Sequence, residues 1–206
     1  MSSVQQTVFP PVATGKSWLA TLPLAFIDLE TTGLDHAKCG TVSFSIIRTT
    51  ANPDEVVKRL DLLIVPHPDS VLEAGALRIN GYDPVKWAER GAVQEIDAVA
   101  QITPLITGCL WIGHNPSFDK NFTDALYRRC GAIFPKLGWS FLVDTVSLSW
   151  PLIIDGGLEN GKLGTIAKHL GIVNEAAHTA AADVEVTRHI FAEMSRRFRA
   201  GVVAQA

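Results

Sequence analysis

Apolar positions fall into short blocks whose period changes along the chain. Leu24 to Leu29 is an almost unbroken apolar run and predicts a buried strand. Thr41 to Thr50 is rich in β-branched residues and alternates loosely, which suits a second strand. Leu60 to Pro66 suits a third. Ser70 to Asn80, followed by Gly81, reads as a short helix with a glycine stop. In Ala92 to Thr107, Val93, Ile96, Val99, Ala100 and Thr103 recur near helical spacing. Cys109 to Gly113 is a short buried strand, and Pro116 to Cys130 a helix. Phe141 to Asp144 fits a fifth strand, and Lys162 to Leu170 a helix ended by Gly171. Thr179 to Phe198 is the last and longest helix. Three adjacent strands, then strands alternating with helices, predict an α/β fold with a mixed five-stranded sheet flanked by helices.

The ends and the composition change this picture little. Residues 1–17, polar and carrying Pro10-Pro11, read as a flexible leader, with a single domain over 18–206. Apolar residues are 47% and charged residues 19% of the 206, as in an ordinary globular protein. No apolar run approaches the ~18 residues of a membrane span, so no membrane partner is expected. The first residues lack the basic-then-apolar order of a secretory signal. Cys39, Cys109 and Cys130 are odd in number and lack metal-ligand spacing. They read as reduced thiols in a cytoplasmic protein. A net charge of −3 does not advertise a nucleic-acid binder. It does not exclude one either, because a site full of carboxylates masks basic surface in the total.

Acids inside the apolar blocks alter the reading most. Asp28 and Glu30 are two apart in a strand, so both point to one side while Leu29 points to the other. Asp119 lies near a helix start that Asn115 and Pro116 suit as N-cap and first helical residue. It shares a face with Phe122 and Leu126. Asp183 shares a face of the last helix with Val186, Ile190 and Met194. His178 is five positions earlier, about 140° around a continuous helix. It can join Asp183 only from a loop just before the helix. A loop histidine near its ordinary pKa can serve as a general base. Four acids in one place repel, and divalent cations neutralise them most simply. Two such ions roughly 3.5–4 Å apart are a common device for phosphodiester cleavage.

These residues resemble, in order, the three motifs of the DEDDh family of 3′→5′ exonucleases. This is the proofreading-subunit-like branch of the ribonuclease-H-like fold. Asp28-Leu29-Glu30-Thr31-Thr32-Gly33 is similar to the first motif, and His114-Asn115-Pro116-Ser117-Phe118-Asp119 to the second. His178-Thr179-Ala180-Ala181-Ala182-Asp183 is similar to the third. Connecting text agrees at Val65-Pro66, Ile79-Asn80-Gly81, Asp144-Thr145 and Lys162-Leu163. Pro116 departs from the family's usual small residue. The segment Cys39 to Ile47 lacks the acidic-then-small pattern common there.

The resemblance implies that Asp28, Glu30, Asp119 and Asp183 hold two divalent ions, Mg²⁺ or Mn²⁺, with His178 as the base. The expected activity releases nucleoside 5′-monophosphates from single-stranded or unpaired DNA 3′ ends. Thr31, Thr32, Gly33 and Leu34 would border the terminal nucleotide, and His114, Asn115 and Phe118 would help position it. Trimming of RNA 3′ ends and a catalytically silent nucleic-acid-binding module stay open as alternatives. A DNA polymerase or repair partner fits the same resemblance.

Overall fold

The computed structural model describes residues 17–173 and 179–203. The leader ahead of Ser17 and the residue His178 lie outside them. Ser17 caps a short 3₁₀ turn, Trp18–Thr21, by accepting the N–H of Leu19. The sheet opens with three long antiparallel strands, β1 (Leu24–Thr31), β2 (Thr41–Thr49) and β3 (Val56–Val65). Helices α1 (Ala74–Asn80) and α2 (Pro84–Glu89) follow, then β4 (Val93–Gln94) and α3 (Glu95–Ile106). The rest of the chain is β5 (Leu110–Gly113), α4 (Pro116–Arg129), β6 (Val143–Asp144), α5 (Thr145–Ile154), α6 (Leu163–His169) and α7 (Ala180–Val203).

Strand order is β4-β3-β2-β1-β5-β6, with β5 and β6 parallel to β1 and β4 parallel to β3. The sheet thus has six strands, where the hydrophobic pattern predicts five. The added strand, Val93–Gln94, pairs with Ile64 and Val65 at the edge. Two residues are too few to show an alternation, and the following helical period absorbs them. Helix α2 is also beyond the pattern, because it is short. Its start is nevertheless marked in sequence, since Asp83 caps Val85 and Lys86 ahead of Pro84. Helix α5 is apolar on most sides and contains Pro151, so it lacks an amphipathic period.

Alternation along β1 builds two cores. Ala25, Ile27 and Leu29 join Phe44 and Ile46 against α3 and α4, through Ile102, Phe122 and Leu126. Leu24, Phe26 and Ile47 face the other way, against Val184 and Phe191 of α7. Val186, Ile190 and Met194 carry α7 onto α5 and α6. Since Asp28 and Glu30 share a parity with Phe26, both acids emerge on the α7 face. None of the described helices is long and apolar enough to cross a membrane.

Candidate active site

Strand β1 is central, flanked by β2 and β5, and its acids sit near its C-terminal end. Asp183 lies in the first turn of α7, directly above. Oxygen atoms of Asp28, Glu30 and Asp183 lie within 4.8 Å of one another, the one such group among the described residues. Asp119 comes from the first turn of α4, on the opposite face of the sheet, and is buried. Its approach depends on Gly113. A Cβ there would sit 3.0 Å from Pro116 Cβ and 3.4 Å from Asp119 Oδ2.

Burial first, and crowding after it, raises the proton affinity of these acids. Burial, then the charges of Asp119, Asp183 and Glu30, holds Asp28 well above the usual carboxylate range. Every one of those contributions acts in the same direction. Burial and then Asp183 push Glu30 up to about 7. Asp119 is raised by burial, against the opposing pull of backbone N–H groups at Asp119 and Leu29. A cluster of hard oxygen donors that resists ionisation unless positive charge arrives has the chemistry of a divalent-cation site.

The turn after β1 is held from within. Thr31 Oγ1 donates to Gly33 O at 2.6 Å, and Thr32 Oγ1 donates to Val71 O at 2.6 Å. Thr32 Oγ1 also accepts the N–H of Gly40, at 2.9 Å. Close approach favours glycine at 33, since a Cβ would fall 2.5 Å from Sγ of buried Cys39. Thr32 is fully buried, so it and Gly33 shape the turn rather than face open space. Leu34, Thr31 and half-buried Phe118 instead line a cavity of about 490 Å³, together with Glu30, Glu73 and Ile79. Phe118 also packs on Phe122, with ring centroids 4.8 Å apart.

His114 is not among the residues that line that cavity. Its Nδ1 meets Thr145 Oγ1 at 2.9 Å. Burial lowers its pKa against the opposing influence of Asp144, the Gly161 backbone and Asp183, which favours a neutral ring. Asn115 is the N-cap residue of α4 by position, but its side chain makes no capping bond. Its backbone N–H is instead accepted by Asp144 Oδ1 at 3.0 Å. Asp144 is a structural residue that the motifs register only as connecting text. The signal for it was an Asp ahead of a helix, hidden because α5 lacks a clear period.

A mixed sheet with acids on its central strand and on two helices starting beside it is the arrangement of the ribonuclease-H-like fold. Residues 25–191 match the family model RNase_T, exonuclease, and the chain belongs to that exonuclease family. It is 28% identical over 174 residues to the 3′-5′ exonuclease DinG of Bacillus subtilis, covering 84% of this chain and 18% of that protein. It is 28% identical over 190 residues to ribonuclease T of Marinobacter nauticus, covering 84% and 82%. Exonuclease I of E. coli, solved with a dT13 oligonucleotide, superposes with a TM-score of 0.74 at 24% identity. That match covers 86% of this chain and 43% of Exonuclease I. The chain therefore spans under half of some relatives and most of another.

Proposed function

We propose that this protein is a metal-dependent 3′→5′ exonuclease that releases nucleoside 5′-monophosphates from single-stranded or unpaired DNA ends. One observation carries the reading: Asp28, Glu30 and Asp183 converge within 4.8 Å, with Asp119 beside them, next to a cavity with an apolar wall. Asp28, Glu30, Asp119 and Asp183 would hold two divalent ions, Mg²⁺ or Mn²⁺. When bound, such ions supply charge neutralisation and Lewis acidity for phosphodiester hydrolysis.

The remaining work falls to the chain's own side chains. Leu34, Ile79 and Phe118 would receive the terminal nucleotide, and a base stacked on Phe118 would gain about 1–3 kcal/mol whatever its identity. A paired end must first unstack to enter, so single strands are preferred. His178, adjoining Thr179 at the start of α7, would take the proton of the attacking water. Thr31, Thr32 and Gly33 keep the turn in shape, and neutral His114 ties the end of β5 to the start of α5. The DNA reading draws on Exonuclease I with its bound dT13. Its RNA counterpart draws on ribonuclease T. Reduced thiols at Cys39 and Cys109 suit the cytoplasm, and a polymerase or repair partner fits the relation to PolC-type polymerases.

The test is cleavage of 5′-labelled single-stranded DNA and RNA of one sequence, with Mg²⁺, Mn²⁺ or EDTA. Asp28→Ala serves as the control. A metal-dependent ladder shortening from the 3′ end is expected, faster on DNA. A faster RNA ladder replaces the substrate, and no ladder from folded protein removes the activity.

A further inference from the structure

A second cavity, of about 340 Å³, lies on the other side of the end of β1. It shares Glu30 and Asn80 with the cavity of Leu34 and Phe118. Asn80 forms the partition, its Nδ2 donating to Thr31 O at 2.8 Å and its Oδ1 accepting the N–H of Tyr82 at 3.0 Å. The floor is β2. Ser45 stands directly opposite Asp28 in the register, and Ser43 opposite Glu30. Opposed residues of an antiparallel pair share a face, with Cβ atoms about 4.5–5.5 Å apart. Both serines are therefore immediate neighbours of the acids. Asp61 and Thr179 form part of the wall.

These serines are an anomaly of the strand. On the other face of β2, Val42, Phe44 and Ile46 are fully buried, as a central strand demands. On the acid face the sequence places two small hydroxyls instead. Ser45 is 2% exposed and Ser43 9%, and neither is among the described side chains whose sealed polar atoms lack a partner; both line the cavity. A hydroxyl on the wall of a polar cavity is met by water. The volume holds roughly ten waters, at about 30 Å³ each.

We infer that this cavity is the hydrated route by which the attacking water reaches the acids once a strand end fills the first cavity, with Ser43 and Ser45 as positioning residues. The inference rests on the exonuclease reading above. Each turnover consumes one water: its oxygen joins phosphorus, the P–O3′ bond breaks, and one proton ends on the 3′ oxygen of the shortened strand. A nucleotide seated against Leu34, Ile79 and Phe118 closes that side to solvent. The serine-floored cavity stays open on the opposite side of Glu30. Thr179, which follows His178 in the sequence, lines it.

The test compares wild type with the Ser43→Val/Ser45→Val double variant, in which methyl groups replace the hydroxyls on a strand that favours valine. The expected result is a kcat lowered about tenfold, the scale of one lost hydrogen bond, with oligonucleotide KM and Mg²⁺ affinity unchanged. Ser43→Thr/Ser45→Thr, which restores hydroxyls at similar bulk, should recover the rate. A high-resolution crystal structure should show waters on both serine Oγ atoms, lost in the valine variant. Unchanged kcat in the valine variant, or a dry cavity in wild type, overturns the inference while leaving the exonuclease assignment standing. Absence of cleavage by wild type overturns both.

Discussion

Asp144 accepts the backbone N–H of Asn115 at 3.0 Å, and Asn115 is the one described non-glycine residue in the left-handed region, with φ of 65°. The same Oδ1 accepts the N–H of Val146 at 2.9 Å, while Oδ2 accepts the Ser147 hydroxyl at 2.9 Å. One carboxylate thus fastens the start of α5 to the start of α4, whose first turn presents Asp119. Asp144→Ala should lower stability by about 1–2 kcal/mol, as for a lost helix cap, and reduce kcat. Asp144→Asn keeps a side-chain oxygen and should lose less. Asn115→Gly should be nearly neutral, whereas Asn115→Val should cost about 1–2 kcal/mol in the left-handed conformation. Urea denaturation of the four variants checks the ordering.

Burial and acid crowding together set an unusual pH response for the metal-free protein. Below about pH 4.5 the Glu30 carboxyl is protonated whether the chain is folded or unfolded. Between 4.5 and about 7 the unfolded chain gives up that proton while the folded chain retains it. Stability should therefore fall as pH rises through this window. Asp28 and Asp119, raised for the same reason, add to the trend. Thermal melts in EDTA should show Tm declining from about pH 5 to 8, and Mg²⁺ should flatten the decline. Asp28→Asn should melt higher than wild type at the upper end while losing cleavage. A wild-type Tm that rises with pH in EDTA would contradict the repulsion argument.

The acid limb has a different origin. Burial alone would raise the pKa of Glu185, but hydrogen bonds from Arg188 and Arg59 more than reverse this and bring it to about 2. The contacts are 2.6 Å to Arg188 Nη2 and 2.7 Å to Arg59 Nη1. A depressed carboxyl stabilises fully above its unfolded pKa near 4.5 and loses that contribution as pH falls toward 2. Glu185→Gln should cost about 1–2 kcal/mol near neutral pH, allowing for its partial exposure. It should also flatten the stability profile below pH 4.5. Chemical denaturation at stepped pH reads both effects.

His178→Ala should slow cleavage by roughly 10²–10⁴-fold, the usual range for a lost general base. Calorimetric titration with Mn²⁺ should show metal affinity nearly unchanged. Loss of metal binding would make His178 a ligand rather than a base.

Much of this could be read along the chain because the relevant physics is local. Period-two alternation puts Asp28 and Glu30 on one side of a strand whatever surrounds them. Helical spacing likewise sets Asp183 in line with Val186, Ile190 and Met194, which are all buried in the fold. Where period is absent or too short to register, as in α5 and the two residues of β4, the sequence is silent.

Pairing between distant segments belongs to the tertiary structure alone. No spacing within β2 tells which of its residues faces Asp28; the antiparallel register does, and it sets Ser45 there. Nothing near Asp119 in sequence says that Gly113 lets it approach β1, or that Asp144 fixes the turn before it. His114 sits inside a motif, and its partner Thr145 is 31 positions away. The chain by itself determined which acids exist and which way each local element turns them, because φ/ψ periodicity is a property of neighbours. The fold decided which of them share a cleft, which side chains brace rather than bind, and where water can enter, because those depend on contacts between residues tens of positions apart.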